Sequence, residues 1–285
     1  MEIKKVAVVG AGIMGHGIAQ VLATHGYKVS LTDIKDEFLT KAKAQIGDSL
    51  EKMQSKGKIT GETKTQALAN LTFTTKIEDA VSGADLVVEA ILEIIDLKKE
   101  LFKKLDKLVG PQTILASNTS QYSITDIAAA VSNPSRVIGM HWFNPPVLMK
   151  LVEIVRGLET SDEVLAAIEE LSAKAGKEIV VCNDSQGFIS TRVLMAQRLE
   201  CYRILEEGIA TKEDIDKTLK LAFGHPMGQF ELSDFSGVNL EVPICEAMTK
   251  VFGERFRAPQ NLLNMVRAGR YGRKYGKGWY DYTKK

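Results

Sequence analysis

The stretch VAVVGAGIMGHGIAQVLATHGYKVSLTD, residues 6–33, contains a β-branched run, a glycine turn and a helical pattern, in that order. Gly10, Gly12 and Gly15 stand at the end of the first predicted strand and the start of the first predicted helix. The first glycine suits a tight turn, the second lets the backbone approach a pyrophosphate, and the third lets the helix pack closely on the strand. The stretch therefore predicts a dinucleotide-binding turn, although glycines that only join a strand to a helix would give the same pattern.

The helix start and the end of the second strand supply the other expected contacts. Ile13 and Met14 open the helix, whose free N–H groups and positive dipole end favour phosphates. Asp33 ends the second strand, where a carboxylate accepts hydrogen bonds from the adenosine ribose and repels a 2′-phosphate. We therefore predict NAD as the cofactor, in preference to NADP. The predicted contacts in this stretch are Gly10, Gly12, Ile13, Met14, Gly15 and Asp33.

The composition is that of a soluble globular protein of 285 residues, long enough for two domains. Its 37 basic and 36 acidic side chains give a formal charge of +1, so no bulk field favours nucleic acid or a membrane. Cys182, Cys201 and Cys245 are far apart, which favours reduced thiols over disulfides or a metal site. With no leader pattern and no apolar run of about 20 residues, we expect a cytoplasmic protein.

Strand and helix patterns alternate through the first part of the chain. Strands are predicted at 5–9, 29–32, 71–74, 85–89, 113–116, 136–141, 150–155 and 178–181. Helices are predicted between several of them, at 13–25, 37–56, 97–108 and 162–175. Such alternation predicts an α/β fold with a Rossmann-like, mostly parallel sheet that helices cover on both faces.

The pattern changes after Asp184. Apolar residues recur at a helical period between Phe188 and Leu205, and further helical patterns follow to residue 267. We therefore predict two domains, a Rossmann-like domain over residues 1–185 and a C-terminal all-α domain over residues 186–285. Apolar stripes that a few helices cannot bury alone are typical of domains that dimerise.

His141 is the histidine best placed for acid–base chemistry. It ends a predicted parallel strand, and ligands bind beyond the carboxyl ends of such strands. If the next strand pairs with it in antiparallel fashion about Val147, Glu153 faces His141 on one side of the sheet. A carboxylate on one ring nitrogen fixes the tautomer and stabilises the imidazolium that forms when the other nitrogen takes a proton. A core histidine beside an unrelated glutamate is the alternative, and geometry alone leaves both open.

Two polar loops are expected at the same edge of the sheet. LASNTSQ, residues 115–121, follows the fifth strand, and its hydroxyls either cap a helix or point into the crevice. VVEAILE, residues 87–93, leaves the fourth strand and ends in Glu93, with Lys98 beyond it.

Ordered segments along nearly the whole chain resemble the NAD-dependent L-3-hydroxyacyl-CoA dehydrogenases, in particular the short bacterial 3-hydroxybutyryl-CoA dehydrogenases. The matching segments are GAGIMGHGIA (10–19), ILASNTS (114–120), IGMHWFNPP (138–146), KLVEIVRG (150–157), HPMGQFELSD (225–234, matching at every position but Ser233) and GRKYGKGWYDY (272–282). The resemblance implies a NAD-binding Rossmann-like domain followed by a helical substrate and dimerisation domain, and thus a homodimer. It also implies reversible hydride transfer between NAD and C3 of a 3-hydroxyacyl-CoA, with a short acyl chain.

The resemblance also implies roles for single residues. His141 resembles the general base and Glu153 its partner, while Ser120 resembles the serine that hydrogen-bonds the 3-oxygen of the substrate beside the cofactor. The positions that the resemblance places at the cofactor or the substrate are Glu93, Lys98, Asn144 and Lys274 for NAD, with Asn144 also at the substrate. Lys52 and Lys56 resemble the lysines that meet the phosphates of coenzyme A, although two lysines on a helix also fit an ordinary solvated face.

The chain departs from the family pattern at the start of the helical domain. GFISTR, residues 187–192, has Thr191 where the family has an asparagine that helps to bind the acyl group, and Gln186 replaces the usual proline. Threonine is shorter and lacks the amide, so at this position the resemblance leaves the substrate and its acyl length open.

Two other functions are compatible with the same cofactor turn. One is oxidation of a sugar acid by an enzyme of the L-gulonate dehydrogenase type. The other is a structural protein that binds NAD without catalysis, as in the lens crystallins of this lineage. Lys52, Lys56 and the Ser–His–Glu set weigh against both alternatives.

Overall fold

The computed structural model describes residues 2–283, and its first unit, which runs to Phe188, is built on one eight-stranded sheet. The strands in chain order are β1 (Lys5–Val9), β2 (Lys28–Thr32), β3 (Leu71–Thr74), β4 (Leu86–Glu89), β5 (Ile114–Ser117), β6 (Val137–Trp142), β7 (Leu151–Arg156) and β8 (Glu178–Asn183). Their order across the sheet is β3-β2-β1-β4-β5-β6-β7-β8, and only the β6–β7 pair is antiparallel. The predicted Rossmann-like, mostly parallel fold is confirmed.

Seven helices of this unit connect the strands. They are α1 (Ile13–Thr24), α2 (Asp36–Ser55), α3 (Gly61–Ala69), α4 (Ile77–Val81), α5 (Ile95–Leu108), α6 (Ile124–Ala128) and α7 (Asp162–Lys174). The sequence pattern predicts four of them and misses α3, α4 and α6. Those three span only nine, five and five residues, too few to display a helical period.

The first strand shows why the centre of the sheet is buried on both faces. Val6 and Val8 belong to the apolar layer that also contains α1 and α2, whereas Ala7 and Val9 belong to the layer that contains α5. Successive side chains of a strand point to opposite faces, so an uninterrupted apolar run such as KVAVV fits a strand with helices on both sides.

The strand order reverses beside β1, which lies between β2 and β4. The parallel register brings Val9 level with Glu89, Glu89 level with Ser117, and Ser117 level with Gly139. The loops after β1, β4, β5 and β6 therefore leave the sheet at one edge. Such an edge, at a reversal of strand order, is where open α/β sheets bind ligands.

The second unit, from Ile189 onward, is helical, as the sequence pattern predicts. Its helices are α8 (Ser190–Glu206), α9 (Lys212–Phe223), α10 (Gln229–Ser236), α11 (Glu241–Phe252) and α12 (Gln260–Arg267). The rings of Tyr202, Phe230 and Trp279 pack together in its core, with centroids 4.7–5.3 Å apart. The buried Asp234 carboxylate accepts hydrogen bonds from the Trp279 and Tyr280 amides, which fastens the tail to α10.

No helix among residues 2–283 is both long enough and apolar enough to cross a membrane.

Candidate active site

The centre of the candidate site is a buried histidine–carboxylate pair on neighbouring strands. The antiparallel register of β6 and β7 places His141 directly opposite Glu153, which confirms the pairing predicted from the sequence. His141 Nδ1 lies 2.6 Å from Glu153 Oε2, and both side chains are buried. An ionised carboxylate only accepts, so Nδ1 carries the hydrogen and Nε2 remains available as a proton acceptor.

Two aromatic rings hold the imidazole from other directions. Phe143 lies 4.5 Å from the His141 ring, centroid to centroid, and Phe188 lies 6.0 Å from it. Phe188 is buried and has a φ of +49°, a left-handed conformation that is uncommon for a bulky residue. Sequence reasoning missed both rings. Phe143 is only two residues from His141, whereas the nearness of Phe188 depends on where the chain returns after β8.

The Ser120 loop is held by a carboxylate from the neighbouring β4 loop. Glu93 Oε1 accepts hydrogen bonds from Thr119 Oγ1 at 2.6 Å and from the Ser120 amide at 2.9 Å, and Ser120 Oγ lies 3.4 Å away. The Tyr122 hydroxyl donates to the Glu93 carbonyl at 3.3 Å. The structure thus brings Ser120 and Glu93 together, as expected from the two loops predicted at this edge.

Glu89 and Lys98 lie behind these loops, in the interior. Lys98 Nζ lies 2.6 Å from Glu89 Oε1 and 3.0 Å from Glu93 Oε2, and its side chain is 1% exposed. Burial would lower the pKa of Lys98, but the two adjacent carboxylates outweigh burial and raise the pKa above its usual value. Glu89 was not predicted as a site residue. The sequence does carry a signal for it, because an acidic residue at the end of an apolar strand is buried and therefore needs a partner of opposite charge.

Asn144 lies in the exposed turn between β6 and β7. Lys177 holds the same turn by donating to the carbonyls of Pro146 at 2.6 Å and Met149 at 2.8 Å. Asn118 fixes the start of the Ser120 loop, because its side-chain oxygen accepts from the Trp142 amide at 2.9 Å.

The glycine turn leaves a cradle of the kind that a dinucleotide fits. Gly10 has a φ of +105°, and a Cβ on Gly15 would lie 1.7 Å from the Gly10 carbonyl oxygen, so neither position tolerates a side chain. A Cβ on Gly12 would meet nothing within 4 Å, which leaves the backbone open at the N-terminus of α1. Ile13 is exposed there and Met14 half-buried.

Asp33 lies directly after β2 and faces this turn. Its carboxylate accepts from the Ala11 amide at 2.6 Å and from the Ile34 amide at 2.7 Å. The carboxylate therefore braces the glycine turn, and it remains half-exposed. These residues fit a NAD molecule, with backbone N–H groups for the pyrophosphate and a carboxylate for the ribose.

The remaining predicted residues lie on the surface or in the second unit. Lys52, in the last turn of α2, and Lys56, just after it, are exposed. Thr191 is half-buried in the first turn of α8, and Lys274 is exposed, with its Nζ 5.9 Å from the Tyr275 ring centroid.

Family comparisons cover both units. Residues 5–185 match the family described as 3-hydroxyacyl-CoA dehydrogenase, NAD binding domain, and residues 187–282 match its C-terminal domain. A probable 3-hydroxybutyryl-CoA dehydrogenase from Deinococcus radiodurans is 45% identical over 98% of this chain and 100% of its own length. The mitochondrial hydroxyacyl-coenzyme A dehydrogenase of Sus scrofa is 40% identical over 98% of this chain and 91% of its own length.

A solved structure agrees with these sequence matches. The crystal structure of (S)-3-hydroxybutyryl-CoA dehydrogenase from Ralstonia eutropha superposes with a TM-score of 0.95 at 41% identity, covering 99% of this chain and 100% of that one. The glycine cradle, the His–Glu pair and both family matches lead to one conclusion: the chain belongs to the 3-hydroxyacyl-CoA dehydrogenase family and is a NAD-dependent oxidoreductase.

Proposed function

We propose that the enzyme interconverts (3S)-3-hydroxybutyryl-CoA and acetoacetyl-CoA, the short-chain case of the family reaction. The observation that carries the proposal is the His141–Glu153 pair, 2.6 Å apart, at the sheet edge that also bears the Ser120 loop and the glycine turn. Relatives named 3-hydroxybutyryl-CoA dehydrogenase are 40–45% identical to this chain over nearly their whole length, which supports a short acyl chain.

In the oxidative direction, His141 Nε2 accepts the proton of the substrate 3-hydroxyl. The Ser120 hydroxyl donates a hydrogen bond to the 3-oxygen and orients it. The glycine turn and Asp33 would hold NAD, which would supply the hydride acceptor for C3. Glu153 stabilises the imidazolium that results, because its carboxylate already holds the Nδ1 proton and is buried with it. In the reductive direction, the same imidazolium returns the proton to the 3-oxygen.

The glycine turn and Asp33 hold the cofactor, with Ile13 and Met14 in the first turn of α1. The Asp33 carboxylate favours NAD over NADP by charge repulsion of a 2′-phosphate. The family resemblance supports cofactor contacts from Glu93, Lys98, Ser120, Asn144 and Lys274.

For the substrate, the resemblance supports phosphate contacts to coenzyme A from Lys52 and Lys56, and acyl contacts from Asn144 and Thr191. It also supports a NAD-binding domain over residues 1–185 and a substrate and dimerisation domain over residues 186–285. We place the enzyme in the cytoplasm as a homodimer. The free cysteines support a reducing compartment. Cys201 and Cys245 are buried, and burial raises the pKa of their thiols to about 11 and about 12, which makes them unreactive.

The test is steady-state turnover with two kinds of substrate, 3-ketoacyl-CoA of three chain lengths and L-gulonate. We expect NADH oxidation with acetoacetyl-CoA, at a kcat/KM that falls for C6 and C8 3-ketoacyl-CoA. Reduction of NAD with L-gulonate, together with inactivity on all three acyl-CoA substrates, would favour a sugar-acid dehydrogenase. Inactivity in every assay despite NADH binding would favour a structural protein.

A further inference from the structure

Two carboxylates and one ammonium form a row behind the Ser120 loop. Glu89, the last residue of β4, is 0% exposed, Lys98 of α5 is 1% exposed, and the Glu93 side chain is 32% exposed. Lys98 Nζ binds Glu89 at 2.6 Å and Glu93 at 3.0 Å. The row thus runs from the interior to the edge of the site, with the ammonium between the two negative charges.

The interior end of the row is fully bonded. Glu89 Oε1 also accepts from the Ile91 amide at 2.8 Å, and its Oε2 accepts from Ser117 Oγ at 2.6 Å. Ser117 is the last residue of β5 and begins the Ser120 loop. Glu89 therefore ties the β4 and β5 ends together and presents one carboxylate oxygen to Lys98.

Lys98 uses two of its three N–H donors on Glu89 and Glu93, and its side chain is 1% exposed, so it offers little surface to a ligand. A buried charge that loses its partner is costly, so the ammonium stays between Glu89 and Glu93. What Lys98 controls is the position and charge of Glu93. If the ammonium is removed, two carboxylates face each other in a poorly hydrated space, where like charges cannot both remain ionised without strain.

Glu93 in turn sets the backbone of Ser120. Its Oε1 accepts hydrogen bonds from the Ser120 amide at 2.9 Å and from Thr119 Oγ1 at 2.6 Å, and both distances are typical of well-formed hydrogen bonds. Ser120 Oγ is 3.4 Å from the same oxygen, a long and weak contact. The serine backbone is therefore fixed, while its hydroxyl can turn to another acceptor at little cost.

We infer that Glu89 and Lys98 are positioning residues which, through Glu93, hold the Ser120 backbone in place and leave the Ser120 hydroxyl available to the substrate oxygen. This inference rests on the proposed function, in which Ser120 binds the 3-oxygen. It gives Lys98 a role that differs from direct contact with the cofactor.

The first test replaces the ammonium with an apolar group of similar length. Lys98→Met should lower kcat with acetoacetyl-CoA about 10- to 100-fold, the scale expected when a catalytic group is displaced by about 1 Å. Lys99→Met is the matched control. Lys99 is the next residue of α5 but pairs with Asp126 at the surface, so its loss should leave kcat unchanged.

A pH profile separates positioning from a purely structural role. Without Lys98, the pKa of one carboxyl of the Glu89–Glu93 pair should rise, because like charges disfavour ionisation. At low pH the pair keeps a proton and the loop stays in place. As the pH rises through the raised pKa, both carboxylates ionise and repel, so kcat of Lys98→Met should fall with a new limb on the alkaline side. The other titratable groups that face the row, Tyr122 and Asp96, are the same in every variant.

The decisive variant restores the charge balance. Lys98→Met with Glu89→Gln removes one charge of each sign and leaves Glu93 ionised alone, while the glutamine can still accept from Ile91 and contact Ser117. We expect this double variant to recover most of the lost kcat and to lose the new alkaline limb. If Lys98 serves stability alone, Lys98→Met lowers the melting temperature without the limb, and Glu89→Gln restores no kcat. That result would overturn the inference.

Nuclear magnetic resonance of ¹⁵N-serine-labelled protein gives a readout that needs no turnover. The Ser120 amide signal is identified by its loss in Ser120→Ala. In Lys98→Met its chemical shift should change with pH over the same range in which kcat falls. In Lys99→Met it should show no such change. A wild-type enzyme that is inactive on acetoacetyl-CoA would refute the proposed function while this shift could still uphold the positioning of Ser120. An active wild type with an unmoved Ser120 signal would refute the positioning instead.

Discussion

At the scale of single residues, His141 is held in one orientation by three neighbours. Glu153 fixes its Nδ1, and Phe143 and Phe188 pack near its ring. A left-handed φ costs a bulky residue on the order of 1–3 kcal/mol, and Phe188 adopts one beside the histidine. Burial of the Phe188 ring and its packing near His141 offset that cost.

Replacement of His141 removes the proposed proton acceptor without touching the glycine cradle. His141→Ala should lower kcat by a factor of about 10² to 10⁴, the usual scale for a general acid–base group, and should leave the NADH dissociation constant unchanged. Steady-state kinetics and fluorescence titration measure the two effects. His25→Ala is the control, because His25 follows α1 and its Nδ1 contacts the Val21 carbonyl. A His141→Ala enzyme with near-normal kcat would remove the residue from the mechanism.

Asp33 joins two roles in one carboxylate, since it braces the turn at Ala11 and carries the charge that disfavours a 2′-phosphate. Asp33→Ala should weaken NADH binding about 10-fold or more, the scale of a lost hydrogen bond to a charged group, and should narrow the preference for NADH over NADPH. Titration with both cofactors measures this. Asp36→Ala, an exposed acidic residue in the first turn of α2, should alter neither affinity. Unchanged affinities in Asp33→Ala would place the nucleotide elsewhere.

At the scale of elements, the site is built where four strand ends and one helix start converge. A glycine at position 17 lets α1 approach the turn between β6 and β7, because a Cβ there would lie 2.8 Å from the Pro146 ring. The helix α1, which follows the glycine turn, is therefore in contact with the turn that bears Asn144. Packing of this kind fixes the position of the glycine turn relative to the β6–β7 turn.

The end of α2 carries the proposed phosphate contacts. Lys52→Glu with Lys56→Glu should raise KM for acetoacetyl-CoA and leave KM for NADH unchanged. The increase should be greatest at low salt, because exposed charges are screened over about 10 Å at 0.1 M ionic strength. Lys103→Glu with Lys107→Glu makes the same charge change at the same spacing on α5, and is the matched control. If the α2 variant raises KM for acetoacetyl-CoA and KM for NADH equally, Lys52 and Lys56 belong to an ordinary solvent-exposed helix face that binds no phosphate.

At the scale of the whole molecule, the chain divides between Phe188 and Ile189 into an α/β unit and a helical unit, each with its own apolar core. The helical unit exposes large apolar side chains on α8, α9, α10 and α11. They include Val193, Leu221, Phe223, Phe235 and Val251. These exposed apolar side chains are the candidates for the interface of the proposed homodimer.

The proposed homodimer predicts a sedimentation mass of twice the 31.3 kDa chain. Leu221→Glu with Phe223→Glu should shift the mass toward one chain at low micromolar concentration, because both side chains are highly exposed in the single chain and their burial would favour association. Leu158→Glu, an equally exposed apolar residue of the first unit, should leave the mass unchanged. A wild-type mass of a single chain would contradict the dimer.

Much of the fold and part of the site could be predicted from local pattern. Short β-branched runs located all eight strands, period-3.6 patterns located the longer helices, and the β6–β7 turn correctly placed His141 opposite Glu153. The glycine turn required only the spacing of Gly10, Gly12 and Gly15 and its position after a strand. These features depend on residues close together in the chain, so the sequence by itself determined the fold class, the cofactor turn and the histidine–carboxylate pair.

Only the tertiary structure decided how the site is supported. Ser117 meets Glu89 across 28 positions of the chain, and Ser120 meets Glu93 across 27. Whether such polar side chains are exposed or buried, and which charges pair, depends on which strand ends the sheet brings to one edge. Lys98 therefore looks like any lysine of a charged helix in the sequence. In the folded chain it is a buried ion-pair partner of both carboxylates, because an unpaired ammonium in that interior would cost far more than the pairs do.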